Sequence, residues 1–195
     1  NQTWTNNSAS LLSATGGITG TANLTLKANS TAGITFSAVA ANHAGTITNS
    51  GTGTGAATFS GIGSNVTAIN QTSNTSAVSI TNTFGVTVNS GGTIFTSTGS
   101  ALLGNTGVVN GTGNLEFRTN SSGNITSSGA INHTGTVTVS GTGSGLTTLG
   151  AIGANVGNIS LTGSGTTTAT FGAINNTGSI TNAGTTSGVT TIGGI

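Results

Sequence analysis

Very few side chains in this sequence could do chemistry. Of 195 residues only Lys27, Glu116 and Arg118 carry formal charge, the two histidines are His43 and His133, and Asp, Cys, Met, Tyr and Pro are absent. General acid–base catalysis usually works with two groups, and glycoside cleavage with a pair of carboxylates. Glu116 has no second carboxylate to work with. In "EFR" it lies two residues from Arg118, on the same face of a strand with Phe117 on the other, so a surface ion pair is expected. Calcium-binding solenoids need Asp in each repeat, and this chain has none.

His43 and His133 sit in matching contexts, "ANHAG" and "INHTG", far apart in the sequence. One metal ion cannot bridge them, and each is expected to be a corner residue bonded to its own turn. "GTGSG" and "GTGTG" resemble phosphate loops only superficially, because a phosphate loop leads into a helix and usually carries Lys. They are expected to be turns. Asn-x-Ser/Thr triplets such as Asn65-Val66-Thr67 and Asn158-Ile159-Ser160 arise readily by chance in a chain this rich in Asn, Ser and Thr. No catalytic, cofactor-binding or metal-binding residue emerges; no cofactor is expected, and the chain is read as not an enzyme.

The elements that hold these residues are legible from a repeat. Three look-alike blocks begin at Gly135, Gly157 and Gly178 and close at Ile152, Ile174 and Ile195. The third position of each block holds Val137, Ile159 and Ile180; the fourteenth holds Thr148, Thr170 and Thr191. The fifteenth holds Leu149, Phe171 and Ile192, and the eighteenth and last holds the three closing isoleucines. An earlier copy from Gly45 to Ile62 fits the same frame with Ile47, Thr58, Phe59 and Ile62. Within a block apolar residues alternate with Thr, Ser or Asn, the period of a strand with one buried face. Gly-rich clusters between them supply turns.

A period of about 21–22 residues with two or three short strands predicts an all-β fold, a parallel β-solenoid of about nine rungs, a rod of roughly 40 Å. Equivalent residues of successive rungs then stack, Ile62, Ile152, Ile174 and Ile195 in one inward column and Phe59, Leu149, Phe171 and Ile192 in another. Phe36, Phe59 and Phe84, and likewise Phe95 and Phe117, recur at near-rung spacing and are expected to stack in the bore. The solenoid is expected to span 16–195, with a loop or bulge near 104–129. Residues 1–15 do not fit the frame and are expected to cover the N-terminal end.

Repeats such as "GAINNTGSITNAGT" (Gly172 to Thr185) resemble the β-helical passengers of bacterial surface adhesins, the autotransporter and filamentous-haemagglutinin-like β-strand-repeat proteins. The resemblance covers nearly all of the chain outside its N-terminal segment. It implies a right-handed coil, secretion to the cell surface, and attachment or fibre formation.

Composition narrows the partners. A net charge of +1 gives no basic patch for nucleic acid, and no apolar run reaches the ~20 residues of a membrane span. No signal peptide is visible and no Met begins the chain, so it is expected to be a processed chain or an excised segment. The leading expectation is a structural extracellular β-solenoid, a filament subunit or adhesin stalk. Its subunit junction is placed at Trp4, Leu11 and Leu12 at one end and Ile192 and Ile195 at the other. Self-association head to tail, or continuation within a longer repeat chain, follows from an uncapped last rung. The alternative is a binding module for ice or glycans. Outward Thr pairs, Thr46/Thr48 and Thr136/Thr138, suggest an ice-binding array, but Asn158/Ser160 and Asn70 break it.

Overall fold

The computed structural model describes all 195 residues and consists of strands and turns, with no helix. The first coil holds β1 (Gln2–Asn6) and β2 (Leu12–Ala14), the second β3 (Leu24–Ala28) and β4 (Ile34–Phe36), the third β5 (Gly45–Asn49) and β6 (Ala57–Ile62). The fourth holds β7 (Val66–Gln71) and the long β8 (Val78–Val88). The fifth holds β9 (Thr93–Ser97), β10 (Leu103–Asn105) and β11 (Val109–Gly111). Then come β12 (Leu115–Thr119) with β13 (Ile125–Ser127), and β14 (Gly135–Ser140) with β15 (Leu146–Leu149). The last two coils are β16 (Val156–Leu161) with β17 (Thr168–Ala173), and β18 (Ile180–Asn182) with β19 (Thr190–Gly194).

Each strand pairs in parallel with its counterpart one coil away, which builds two long sheets. The first sheet runs β1-β3-β5-β7-β9-β12-β14-β16-β18, and the second runs from β2 through β4, β6, β8, β10, β13, β15 and β17 to β19. A third side is closed by single bridges, Ile18 to Ala41 to Ile62 and then Val109 to Ile131 to Ile152 to Ile174. Between them Ile62 pairs with Val86, and Val86 with Val109. The fold is an all-β parallel β-solenoid of nine coils.

Alternation drives this closure. Inward residues of the strands from β3 to β17, together with Ile18, Ala41 and other third-side residues, form one continuous core of 34 buried apolar residues, while the outward residues between them face water. Burying each Ile, Leu, Val or Phe contributes roughly 1.5–3 kcal/mol relative to leaving it exposed. At the corners successive turns touch backbone to backbone, and glycine is required there: Gly141 has φ +120°, and a Cβ would run into the Thr119 carbonyl of the coil below.

Two columns follow the repeat. Ile62, Ile152 and Ile174 lie on the third side, fully inward, with Ile131, Val86 and Val109 filling the intervening coils. Ile195 is in register one coil beyond Ile174 but is 96% exposed. Phe36, Phe59 and Ile80 stack in the second sheet, then Asn105 and Ser127 intervene before Leu149, Phe171 and Ile192. The Phe36 and Phe59 rings lie 5.1 Å apart and 10° from parallel; Phe95 and Phe117 are 5.3 Å apart and tilted by 41°.

The middle departs from the expected pattern. Phe59 pairs with Ile80 but Gly61 pairs with Gly85, so three extra residues enter β8 as a bulge. Phe84 rides on that bulge, 52% exposed, and is not in the bore. Residues 104–129 stack in unbroken register, Leu103 on Ile125 and Leu115 on Val137. Ile47 stacks with Ile69, Phe95, Phe117 and Val139, two residues away from the Val137 column its repeat position implied. The first fifteen residues contribute β1 and β2, in register with β3 and β4.

Candidate functional site

The charged residues form no site. Arg118 donates from Nε and an Nη nitrogen to the two Glu116 carboxylate oxygens at 3.0 and 2.9 Å, and Ser140 Oγ adds a 2.6 Å bond to Glu116. Both side chains are partly exposed on the outer face of the first sheet, with Phe117 inward, as expected. A carboxylate already held by three donors is poorly placed to move a proton. No three His, Cys, Asp or Glu residues cluster as a metal site would require.

The histidines lie in the wall of the bore rather than on its surface. His43 and His133 are fully buried, four coils or about 19 Å apart. Each points inward two residues after a third-side column residue, Ala41 or Ile131. His43 Nε2 meets the Thr46 carbonyl at 3.2 Å, which is the expected corner bond. Neither nitrogen of His133 reaches hydrogen-bond geometry with a partner. Burial pushes the His133 pKa below the ordinary histidine value, and the Thr136 backbone opposes that only in part.

A seam of buried polar residues, not visible as such in the sequence, runs up the bore where the first sheet ends. Asn49, Gln71, Ser97 and Thr119 stack in consecutive coils. Asn49 Nδ2 donates to Gln71 Oε1 at 3.1 Å, and Gln71 Nε2 donates to the Ser76 and Leu102 carbonyls at 2.8 and 3.0 Å. Ser97 donates to the Gly99 carbonyl at 3.1 Å and Thr119 to Thr167 Oγ1 at 3.2 Å. Paired in this way, buried polar groups avoid the cost of desolvation. Only their in-register recurrence marks them, and the two-residue slip in the first sheet hides it.

The outer faces differ. On the first sheet one column reads Thr46, Ala68, Ile94, Glu116, Thr138, Ser160 and Thr181, and the neighbouring one includes Thr48, Asn70, Thr96 and Arg118. This is the broken array the sequence implied. On the second sheet a single column carries Ser13, Thr35, Thr58, Ser79, Gly104, Thr126, Thr148, Thr170 and Thr191 in register. Its signal was the Thr at position fourteen of the repeat. No open depression on the surface combines acidic, basic and nucleophilic groups; the one that includes Glu116 is otherwise lined by Thr, Asn, Gly and Ile.

At the ends, β1 and β18 are the edges of the first sheet, and β2 and β19 those of the second. Trp4 pairs with Leu26 and tilts against Phe36 at 5.1 Å. Leu11 and Leu12 are exposed, and Ile192 is partly buried against the core. No protein-family model, curated protein or solved structure matches this chain.

Proposed function

We propose that the chain is a structural segment of an extracellular surface fibre or adhesin stalk, a stiff solenoid that sets distance rather than performing chemistry. The observation that carries this is the continuity of stacking: nine coils, each paired to the next, with no inserted loop large enough to build a site. Three supports accompany it. The surface is nearly uncharged, so like charges do not oppose one another at the ~4.8 Å coil spacing. Outward Asn side chains bond rung to rung, as Asn42 Oδ1 does with the Asn65 amide at 3.0 Å and Asn132 with Asn155 at 3.1 Å. The repeats resemble those of secreted β-helical adhesins, whose passengers stand on the cell surface.

A rod of this kind would be extended through its end coils, a reading supported by the edge strands and the exposed Leu11, Leu12 and Ile195. A following coil, from a longer chain or from a second copy, would pair with β18 and β19 and cover Ile192 and Ile195. Trp4, Leu11 and Leu12 would meet the coil before. Head-to-tail contact of this kind does not close, so copies that dock give a filament. Sedimentation velocity at rising concentration, with electron microscopy of the same samples, tests this in the isolated chain. Unbranched filaments one solenoid wide are expected, and Ile195→Lys, at a residue 96% exposed, should abolish them while leaving the melting temperature nearly unchanged. A monomer at every concentration would remove docking between copies, leaving extension within one chain.

A further inference from the structure

The outward face of the second sheet holds hydroxyls that the protein itself does not use. Eight of the nine residues in the column from Ser13 to Thr191 are Ser or Thr. None of these eight hydroxyls bonds to another protein group. On the first sheet, by contrast, Asn70 donates to Thr48 at 3.4 Å and Ser140 to Glu116 at 2.6 Å. Backbone pairing fixes the spacing of the free hydroxyls at ~4.8 Å along the rod. Threonine has few χ1 choices on a strand, which favours like orientations of successive hydroxyls and methyls. The stretch Thr126, Thr148, Thr170 and Thr191 is the most regular, four coils in unbroken register. It lies beyond Gly104, which interrupts the column, and beyond the bulge that carries Phe84.

Water must satisfy these hydroxyls, and its positions inherit the period of the coils. Charged side chains would orient nearby water in their own fields, but Lys27, Glu116 and Arg118 all belong to the first sheet. The partner that fits is therefore an uncharged, periodic lattice of hydrogen-bonding oxygens. A crystalline polysaccharide is such a lattice too, but sugar rings bind through stacking on aromatic faces. On this sheet Phe36, Phe59 and Phe171 point into the bore, and the one exposed ring, Phe84, sits on the β8 bulge, apart from the stretch Thr126, Thr148, Thr170 and Thr191. We propose that the outer face of the second sheet, centred on Thr126, Thr148, Thr170 and Thr191, binds ice, holding ordered water that continues into the crystal. This goes beyond the structural role: the rod would carry an adhesive face along its length.

The test is partition of the fluorescently labelled full chain into a slowly growing ice hemisphere, with thermal hysteresis measured on the same sample. The unsubstituted chain should be enriched in the ice. A Thr148→Lys/Thr170→Lys double variant should lose that enrichment at least tenfold, whereas Thr48→Lys on the first sheet should keep it. Circular dichroism melting shows whether each variant is folded. Thr148→Tyr, which retains a strong strand former but breaks the flat face, serves if the double variant is not. Exclusion of the unsubstituted chain from ice would overturn the proposal, as would equal loss in the first-sheet variant. So would capture by crystalline cellulose or chitin together with exclusion from ice. Filament formation is read separately by sedimentation, so failure of either claim leaves the other testable.

Discussion

At the scale of the residue, inward and outward positions should differ sharply in what they tolerate. Ile152 lies between Ile131 and Ile174 with almost no exposure. Ile152→Asp would bury a carboxylate with no cation near enough to pair with it, at a cost of more than about 3 kcal/mol. Thr138→Ala, facing outward beside Glu116 and Ser160, should cost less than about 1 kcal/mol. Urea unfolding of both variants measures this, and similar midpoints would contradict the register. His133 gives a prediction in pH. Burial favours its neutral form in the folded chain, whereas the unfolded chain takes up a proton near pH 6.5. The unfolded state therefore binds more protons as pH falls from about 6.5 toward the lowered folded value. Stability is complete above that window and is lost through it. The melting temperature should drop between pH 7.5 and 5, and His133→Leu should remove much of the drop. These residue roles were unequally legible. "EFR" revealed its ion pair because alternation alone decides which neighbours share a face. The depth of the histidines was hidden, since an inward turn at a corner leaves no periodic mark.

At the scale of the element, the strands were readable wherever the repeat kept its period. The eighteenth-position Ile62, Ile152 and Ile174 and the fifteenth-position Leu149 and Phe171 stack inward as their spacing implies, whereas Ile195 at the last coil is exposed. Phe84 departs from its spacing for a physical reason: its separation from Phe59 is close to one coil, but the bulge in β8 consumes the excess and turns it outward. Ile80 takes the inward place instead. Ile47 is displaced by the same kind of slip, which slides one sheet two residues against the repeat and so preserves which face is buried. A two-residue slip is invisible to alternation. The bulge itself can be tested. Deleting Asn82–Phe84 leaves Thr81 opposite Ser60 and restores the offset of the preceding pair. The shortened chain should fold with stability within about 1 kcal/mol of the original, because no core residue is removed. Loss of cooperative melting on deletion would show that the bulge holds the fourth coil together.

At the scale of the whole molecule, the design is a rod whose cross-section is set by one coil and whose length is set by coil number. Each coil pairs its backbone with its neighbours, so stiffness comes from a nine-stranded and a ten-stranded ladder and the column of bridges on the third side. The polar seam through Asn49, Gln71, Ser97 and Thr119 runs through four consecutive coils with each side chain hydrogen-bonded, so it sits in the bore without unpaired polar groups. Fold class and coil number were legible in the sequence because identical positions must stack in a solenoid. Function was not, because a uniform hydroxyl surface carries no motif. The rigid, in-register rod is the claim on which the rest depends. The chain has no cysteine, so spin labels can be placed uniquely at Ser13→Cys and Thr170→Cys, seven coil steps apart on one column. Pulsed electron–electron double resonance should give a single narrow distance near ~34 Å, seven times the ~4.8 Å spacing of paired strands, widened only by the label linkers. A broad distribution, or a main distance differing by more than two coil spacings, would contradict the account.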